Sequence, residues 1–444
     1  MRIPEIIRVQ SDRTPGSLAS VLGVIADAGL LVEGLKAAAR NHLHTIWEIT
    51  LEPDESFDIE PLLDAINTLD TARVLGRSDR VFARHEGGKI RTVSTASIDS
   101  LEKLRDVYTP GVARVCKAIQ DDPQTAHHYT ARDHTVAIVT NGTAILGLGD
   151  IGAVAGLPVM EGKAALLEQM VGLSGAPILL DSKDPDRIID TVLNIAPTFG
   201  AIQLEDIKAP ECFNIEQTLI EKLDIPVLHD DQHGTAVVVL ASLLSASCRL
   251  GLDLKGATIG QIGLGAAGLG ICKLLIDFGC CAVGADLREE AQQRLISLGG
   301  EPVALDDLMR RADVVIATTG VKGLIKPVMV RKGQAIFALS NPEPEIEPMR
   351  ALAAGAGFAV DGRVVNNVLG FPGLFKGALD AGATRFTHKM LIAAAQALSE
   401  LGGEETLTPD PLDRAVHVHV ARAVADAATR DGVATRALTV SRAV

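Results

Sequence analysis

The chain has 444 residues, of which 47% are apolar but only 3% aromatic, and carries a formal net charge of −14. That length allows two or three domains with substantial cores, built here from Ala, Val, Leu and Ile, a composition common in α/β enzymes. The negative charge argues against nucleic acid or an anionic membrane as partner, but a small anionic substrate stays open, because a metal ion or a local lysine inverts the field inside a cleft.

The start, Met1-Arg2-Ile3-Pro4-Glu5-Ile6, lacks the apolar region of a signal peptide. Ile6-Ile7-Arg8-Val9 reads as a strand, and Asp12-Arg13-Thr14-Pro15-Gly16 as a turn capping a helix through Ala28. Strands over 30–37 and 43–51, a helix over 59–69 and a strand near Val74 complete a ferredoxin-like βαββαβ unit, residues 1–82. The turn-to-helix start Asp-Arg-Thr-Pro-Gly-Ser-Leu and the helix end Ala-Asp-Ala-Gly-Leu resemble an ACT domain, a regulatory module that senses small molecules. The resemblance implies a small-molecule effector and subunit pairing, hence a homodimer or higher homo-oligomer; an inert dimerisation module is the alternative. Residues 83–94, inside a charged stretch with Gly87-Gly88, read as a linker.

Residues 95–241 carry two acidic motifs. Leu204-Glu205-Asp206-Ile207 closes the apolar run 199–204, and His229-Asp230-Asp231-Gln232-His233-Gly234 closes the run 225–228. Both runs read as buried strands that deliver carboxylates at their C-terminal ends, where open α/β sheets hold ligands. Carboxylates gathered there repel unless a cation sits among them, and all-oxygen ligation suits Mg²⁺ or Mn²⁺. A single Asp-Asp would be read as a solvated loop; two pairs at two strand ends favour a metal.

Residues 242–385 form a Rossmann-type domain with a parallel sheet. A strand over 256–262 runs into Gly263-Leu264-Gly265-Ala266-Ala267-Gly268 and an apolar helix to Phe278. The glycines allow a tight turn and bring backbone N–H groups, with Ala266 and Ala267, to a pyrophosphate. The next strand, 281–285, ends in Asp286, whose carboxylate suits ribose hydroxyls and repels a 2′-phosphate, favouring NAD over NADP. Arg288 keeps NADP open as the weaker cofactor. A further strand over 312–320 places Thr319 at the cofactor's edge. Residues 386–444 are helical by period and are expected to fold back on the catalytic domain. Six cysteines without CxxC spacing suit the reduced, mostly buried thiols of a cytoplasmic protein, and no charge-free run of about 20 apolar residues predicts a membrane span.

Val107-Tyr108-Thr109-Pro110-Gly111 and Met160-Glu161-Gly162-Lys163-Ala164 join these motifs, as do Leu146-Gly147-Leu148-Gly149-Asp150, Ser340-Asn341-Pro342 and Asn366-Asn367. From Thr95 onward the chain resembles the malic enzymes, specifically the smaller bacterial kind. The resemblance implies oxidative decarboxylation of L-malate to pyruvate and CO₂ with NAD and a divalent cation. It further implies Lys163 as general base, Tyr108 as general acid, Glu205, Asp206 and Asp231 as metal ligands, and Asn341 and Asn367 as substrate amides, with Tyr108 and Lys163 also touching substrate. A lysine desolvated beside a cation can lose its proton to serve as base, and a positioned tyrosine can protonate an enolate.

Plainer readings stand beside each residue. Lys163 could be a solvated helix face, Tyr108 a turn residue, and Asn341 and Asn366-Asn367 turn chemistry. His229 and His233 fall outside the resemblance's ligand set, and Asp230 reads as a structural group. Larger relatives carry an arginine where Asn141-Gly142-Thr143-Ala144-Ile145 stands, which leaves the cation that grips the substrate carboxylate unidentified. Two rivals remain, a metal-free Rossmann dehydrogenase and a catalytically silent sensor.

Overall fold

The computed structural model describes residues 5–53, 57–77, 80–145, 147–341, 343–363, 365–402 and 406–436; Met1 to Pro4 and, from the quoted motifs, Leu146 and Pro342 lie outside these. The chain forms two compact units, Met1–Lys89 and Ile90–Val444.

In the first unit, strands Glu5–Asp12, Val32–Arg40, His44–Leu51 and Ala72–Arg77 alternate with helices Ser17–Asp27 and Glu60–Asn67 in the order βαββαβ. The sheet is antiparallel, with the strands in the spatial order second, third, first, fourth. Val21 and Ile25 of one helix and Leu62 and Ile66 of the other, each pair four residues apart, meet Ile7, Val9 and Ile49 of the sheet. Part of the expected linker is instead helical, Arg80–His85.

The second unit holds two parallel sheets. One runs Ser174–Leu179, Thr135–Thr140, Ala201–Leu204, Val227–His229. The other runs Glu301–Pro302, Cys281–Ala285, Thr258–Ile262, Val314–Ala317, Ala335–Ala338, Phe358–Asp361, the 3-2-1-4-5-6 order of a Rossmann-type sheet. Continuous apolar runs such as Val-Val-Ile-Ala fit strands covered on both faces.

The helix Asp230–Leu250 leaves the first sheet and passes unbroken through residues 241–242. It is the one helix among the described residues long and apolar enough to cross a membrane, yet Ala236 to Leu243 are all buried inside the unit. It packs on the dinucleotide helix Ala266–Phe278 so tightly that a Cβ on Gly270 would stand 2.5 Å from the Gln232 carbonyl oxygen. The C-terminal helices His388–Glu400 and Arg414–Arg430 pack, respectively, on Asp230–Leu250 and on Phe371–Asp380 and Ala153–Val171. By contrast, helices Leu101–Val107 and Val112–Asp121 bury no residue. Cys212, Cys272 and Cys280 are buried, but Cys116, Cys248 and Cys281 are exposed, so only half of the thiols are shielded.

Candidate active site

Both acidic motifs emerge where their strands end. Glu205 follows Ala201–Leu204, and Asp230 follows Val227–His229 as the first residue of its helix. One carboxylate oxygen from each of Glu205, Asp206 and Asp231 falls within a cluster no more than 4.8 Å across. Asp206 holds a left-handed backbone, φ 53°, a conformation that costs a non-glycine residue free energy and is retained only where its surroundings impose it. Here its N–H donates to Asp231 Oδ2 at 2.9 Å and its carbonyl accepts from Ala144 N–H at 3.0 Å. The Ala144 loop is itself fastened: Thr143 Oγ1 donates to Asn141 Oδ1 at 2.6 Å and accepts from Lys208 N–H at 3.1 Å.

Lys163 projects into this cluster from the helix Ala153–Val171. Its ammonium pairs with Asp230 and lies 3.1 Å from Glu205 Oε1, and it sits 4.5 Å from the centroid of the Phe371 ring. Burial alone would lower the lysine's pKa, but Asp230, Glu205 and Asp231 outweigh it and hold the group protonated. Burial drives the Glu205 carboxyl well above its usual range; Lys163 opposes this, while Asp230, Asp231 and Asp206 add to it. Asp230, the residue read as structural, is therefore the closest partner of the lysine. Gly234 makes room for it, since a Cβ there would collide with Asp230 Oδ1.

The donor set fits a hard divalent cation: three carboxylates, all oxygen, crowded past the point where one lysine balances them. His229 and His233 do not join it. His229 Nε2 faces the Ile207 carbonyl at 3.2 Å, and His233 Nε2 meets Glu216 at 3.1 Å. Glu216, missed in the sequence, is a buried anchor that accepts from His229 N–H at 2.6 Å and Gln232 Nε2 at 3.0 Å. Burial would raise its pKa, but the neighbouring His233 and the His229 groups hold it below the usual range. The signal was available: Glu216 lies on the same helical face as Cys212, Ile215 and Leu219.

The dinucleotide loop is built by exclusion. A Cβ at Gly268 would strike the Gly263 carbonyl and one at Gly263 would stand 2.9 Å from the Thr318 carbonyl, whereas the space over Gly265 is open. Gly265 caps the helix Ala266–Phe278 without a side chain, so the first N–H groups, including those of Ala266 and Ala267, stay available to an anion. Asp286 accepts from Leu264 N–H at 2.8 Å and from Arg288 N–H and Nε at 2.9 and 3.1 Å. Thr319 donates its N–H and hydroxyl to the buried Glu345, at 2.7 and 2.8 Å, so its polar groups hold the loop; Glu345 is a second residue the sequence did not reveal.

A cavity of about 460 Å³ opens beside this loop, lined by Thr235, Ala267, Thr318, Asn341, Arg363 and Asn367 among others. Asn367 is fixed through Thr235 Oγ1 at 3.0 Å, and Thr235 lies one helical turn beyond Asp231. Arg363 puts a guanidinium on the cavity wall, 2.6 Å from Asp361 Oδ2. Tyr108 stands apart: its side chain is 68% exposed, and it lines neither this cavity nor the one beside Glu216.

A Rossmann-type sheet whose dinucleotide helix abuts a helix headed by carboxylates is the layout of a dinucleotide-dependent oxidoreductase. Residues 87–220 match the malic enzyme N-terminal domain, and residues 236–324 match the NAD-binding domain of D-isomer specific 2-hydroxyacid dehydrogenases. NAD-dependent malic enzyme 1 of Bacillus subtilis is 51% identical over 425 residues, spanning 95% of this chain and 97% of that protein. The structure of malic enzyme from Pyrococcus horikoshii aligns with a TM-score of 0.75 at 40% identity, covering 79% of this chain and 89% of its own. NAD-dependent malic enzyme from Thermotoga maritima gives 0.74 at 38% identity, covering 78% and 99%. The chain belongs to the malic enzyme family.

Proposed function

We propose that this protein oxidises and decarboxylates L-malate to pyruvate and CO₂, reducing NAD, with Mg²⁺ or Mn²⁺ held by Glu205, Asp206 and Asp231. The observation that carries the reading is the convergence of those three carboxylates beside Lys163, with Asp231 on the helix that packs against the dinucleotide helix. When bound, the cation supplies Lewis acidity, which acidifies the C2 hydroxyl and stabilises the enolate left as CO₂ departs. Lys163 takes the proton of the C2 hydroxyl, and NAD, which the loop of Gly263, Gly265 and Gly268 would hold, would supply the hydride acceptor. The charges that keep Lys163 protonated belong to Asp230 first, then Glu205 and Asp231; a cation held by Glu205 and Asp231 would weaken that hold and shift the amine toward its neutral form. Tyr108 protonates the enolate at C3, and Asn341 and Asn367 orient the substrate in the cavity they line.

The experiment is one assay with malate, Mn²⁺ and NAD. Pyruvate should form, and EDTA should abolish turnover while leaving NAD binding intact. Oxaloacetate as product, or turnover indifferent to EDTA, would establish the metal-free dehydrogenase instead. The βαββαβ unit supports a regulatory role in the manner of an ACT domain, with a small effector near the turn Asp12 to Gly16. Trp47, the chain's single tryptophan, donates to Ser11 Oγ at 2.9 Å and so reports on that turn. An effector must favour one conformational state, so its Trp47 signal and its effect on activity should titrate together. A chain beginning at Arg91 should lose the response; identical responses from both forms to amino acids, acyl-CoA thioesters and dicarboxylates would make the unit structural.

A further inference from the structure

We propose that the cavity beside Glu216 binds a small amphipathic carboxylate, and that its occupant is linked to the metal cluster through the first turn of the helix Asp230–Leu250. The link rests on the reading of Asp231 as a metal ligand; the site itself does not. The cavity holds about 240 Å³, and its walls include Ile220 of the helix Glu211–Lys222, Lys273 of Ala266–Phe278, Arg294 of Glu289–Ser297 and Leu391 of His388–Glu400. It shares no lining residue with the cavity of Asn341 and Asn367, so it stands apart from the substrate and dinucleotide positions. Drug-sized ligands fill ~300–1,000 Å³, and this smaller space suits a molecule of about ten heavy atoms.

The lining is divided in character. Leu269, Leu391 and Phe386 offer an apolar wall, and Phe386 is fixed edge-on against Phe375 with ring centroids 5.4 Å apart. Lys273 is exposed and makes no hydrogen bond or ion pair among the described residues. Arg294 lies 4.7 Å over the Phe213 ring and reaches Glu290 through Nη2 at 3.2 Å, yet its Nε–H is buried with no hydrogen-bond partner. A buried donor without an acceptor is costly, and a carboxylate beside it would remove that cost. The lining holds two carboxylates of its own. Glu216 is already occupied by His229 N–H, Gln232 and His233, and Asp277 makes no pair with Lys273 four residues away. The unanswered charge is therefore positive, and an anion with an apolar body answers both parts of the wall.

The cavity wall and the seat of Asp231 form one hydrogen-bonded unit. Gln232 and His233 line the cavity, directly follow Asp231, and donate to Glu216 at 3.0 and 3.1 Å. Glu216 also accepts from the N–H of His229, two residues before Asp231, at 2.6 Å. Gly270 stiffens the joint, because its closeness to the Gln232 carbonyl prevents that turn from moving without the dinucleotide helix. A ligand that fixes Gln232 and His233 orders Asp231 in advance, so the cation should bind more tightly when the cavity is filled. By linkage the cation must then tighten the ligand by the same factor.

The test is calorimetry on the full-length protein with hydrocinnamate as probe, first without metal. Saturable binding with a Kd of about 1 mM or tighter is expected for a ligand of this size. Lys273→Glu should abolish it and Lys273→Arg should restore it, while Ser297→Trp, at an exposed lining position, should block it by filling the space. Hydrocinnamyl alcohol, which lacks the charge, and propionate, which lacks the ring, should each bind about tenfold more weakly or worse. No saturable binding, or binding that Lys273→Glu and Ser297→Trp both leave unchanged, overturns the site. So does a change in Trp47 fluorescence that tracks the probe, which would place it in the first unit. With saturating probe the Kd for Mn²⁺ should fall about fivefold, and saturating Mn²⁺ should lower the probe's Kd equally. Values that stay put overturn the link. Probe binding in a protein that takes up no Mn²⁺ would uphold the site and count against the metal reading alone.

Discussion

Carboxylates stand at strand ends in both sheets of the catalytic unit, but under opposite electrostatic conditions. In the Rossmann-type sheet, burial would raise the Asp286 carboxyl, yet Arg288 and the Leu264 N–H hold it below the usual range. Glu345 is saturated by Thr319 and Ser340, the latter at 2.6 Å. In the other sheet, burial and three like charges push Glu205 far upward, although Lys163 opposes them and Gln203 Nε2 donates to its Oε2 at 2.7 Å. Saturated carboxylates fasten loops and leave the ligand to backbone N–H groups. Crowded ones carry free energy that only a proton or a cation relieves, and that is where a metal ion gains affinity.

The largest expected effect comes from removing one crowded carboxylate. Asp231→Asn should lower turnover about a thousandfold or more, since Lewis acidity is worth several kcal/mol and each ~1.4 kcal/mol is a factor of ten. Without metal the variant should be no less stable than wild type, because a like charge has gone. With Mn²⁺ at a hundredfold excess over Kd the wild type should gain about 2.7 kcal/mol, and the variant far less. Equal stabilisation of both by Mn²⁺, followed by thermal melting, would sink the metal assignment and with it the contrast between the two sheets.

Next come the proton carriers. Lys163→Ala should reduce malate oxidation about a hundredfold or more, whereas Tyr108→Phe should chiefly impair tritium exchange into pyruvate C3. Undiminished exchange in the Tyr108 variant would leave the cluster as the sole proton-handling site.

The strand end at Leu204 and the one expected at Leu228, which falls one residue later at His229, were legible because short apolar runs stopped at polar and charged residues, and the glycine loop because its strand, helix and Asp286 followed at fixed offsets. Glu345 was not, because a lone glutamate looks solvated until the fold buries it, and the only sign of Glu216 was its place on an apolar helix face. Asp230 was seen but underrated: its pairing with Lys163 joins residues 67 apart, a separation no local pattern encodes. Tyr108 was legible only through its motif, and its exposure at the end of the unburied helix Leu101–Val107 is a property of the fold.

A subtler change sharpens the comparison inside the crowded cluster. Gly234→Ala would drive a methyl group into Asp230 Oδ1 and so displace the lysine's partner without touching a ligand. Loss of such a supporting contact typically costs about 10–100-fold in activity. Mn²⁺ affinity, measured by calorimetry, should change less than kcat. An unaltered kcat would show that Asp230 packs Lys163 without tuning it.

The smallest effect is expected in the saturated set, at Asp286. Its oxygens are occupied by Leu264 N–H, at 2.8 Å, and by Arg288, whose guanidinium lies 3.1 Å away. As long as that pair persists, the arginine's charge is cancelled where a 2′-phosphate would sit, and NAD is preferred over NADP. Asp286→Ser removes the repelling carboxylate and frees Arg288, so kcat/KM for NADP should rise relative to NAD by about tenfold, ~1.4 kcal/mol. The gain is limited because the same change strips the Leu264 N–H of its acceptor and loosens the loop on which either cofactor rests. Asp286→Ser with Arg288→Ala should cancel most of it, which separates repulsion by the carboxylate from attraction by the arginine. A wild-type enzyme that already favours NADP would show that Arg288 leaves Asp286 when cofactor binds, and that this end of the site is less saturated than its hydrogen bonds imply.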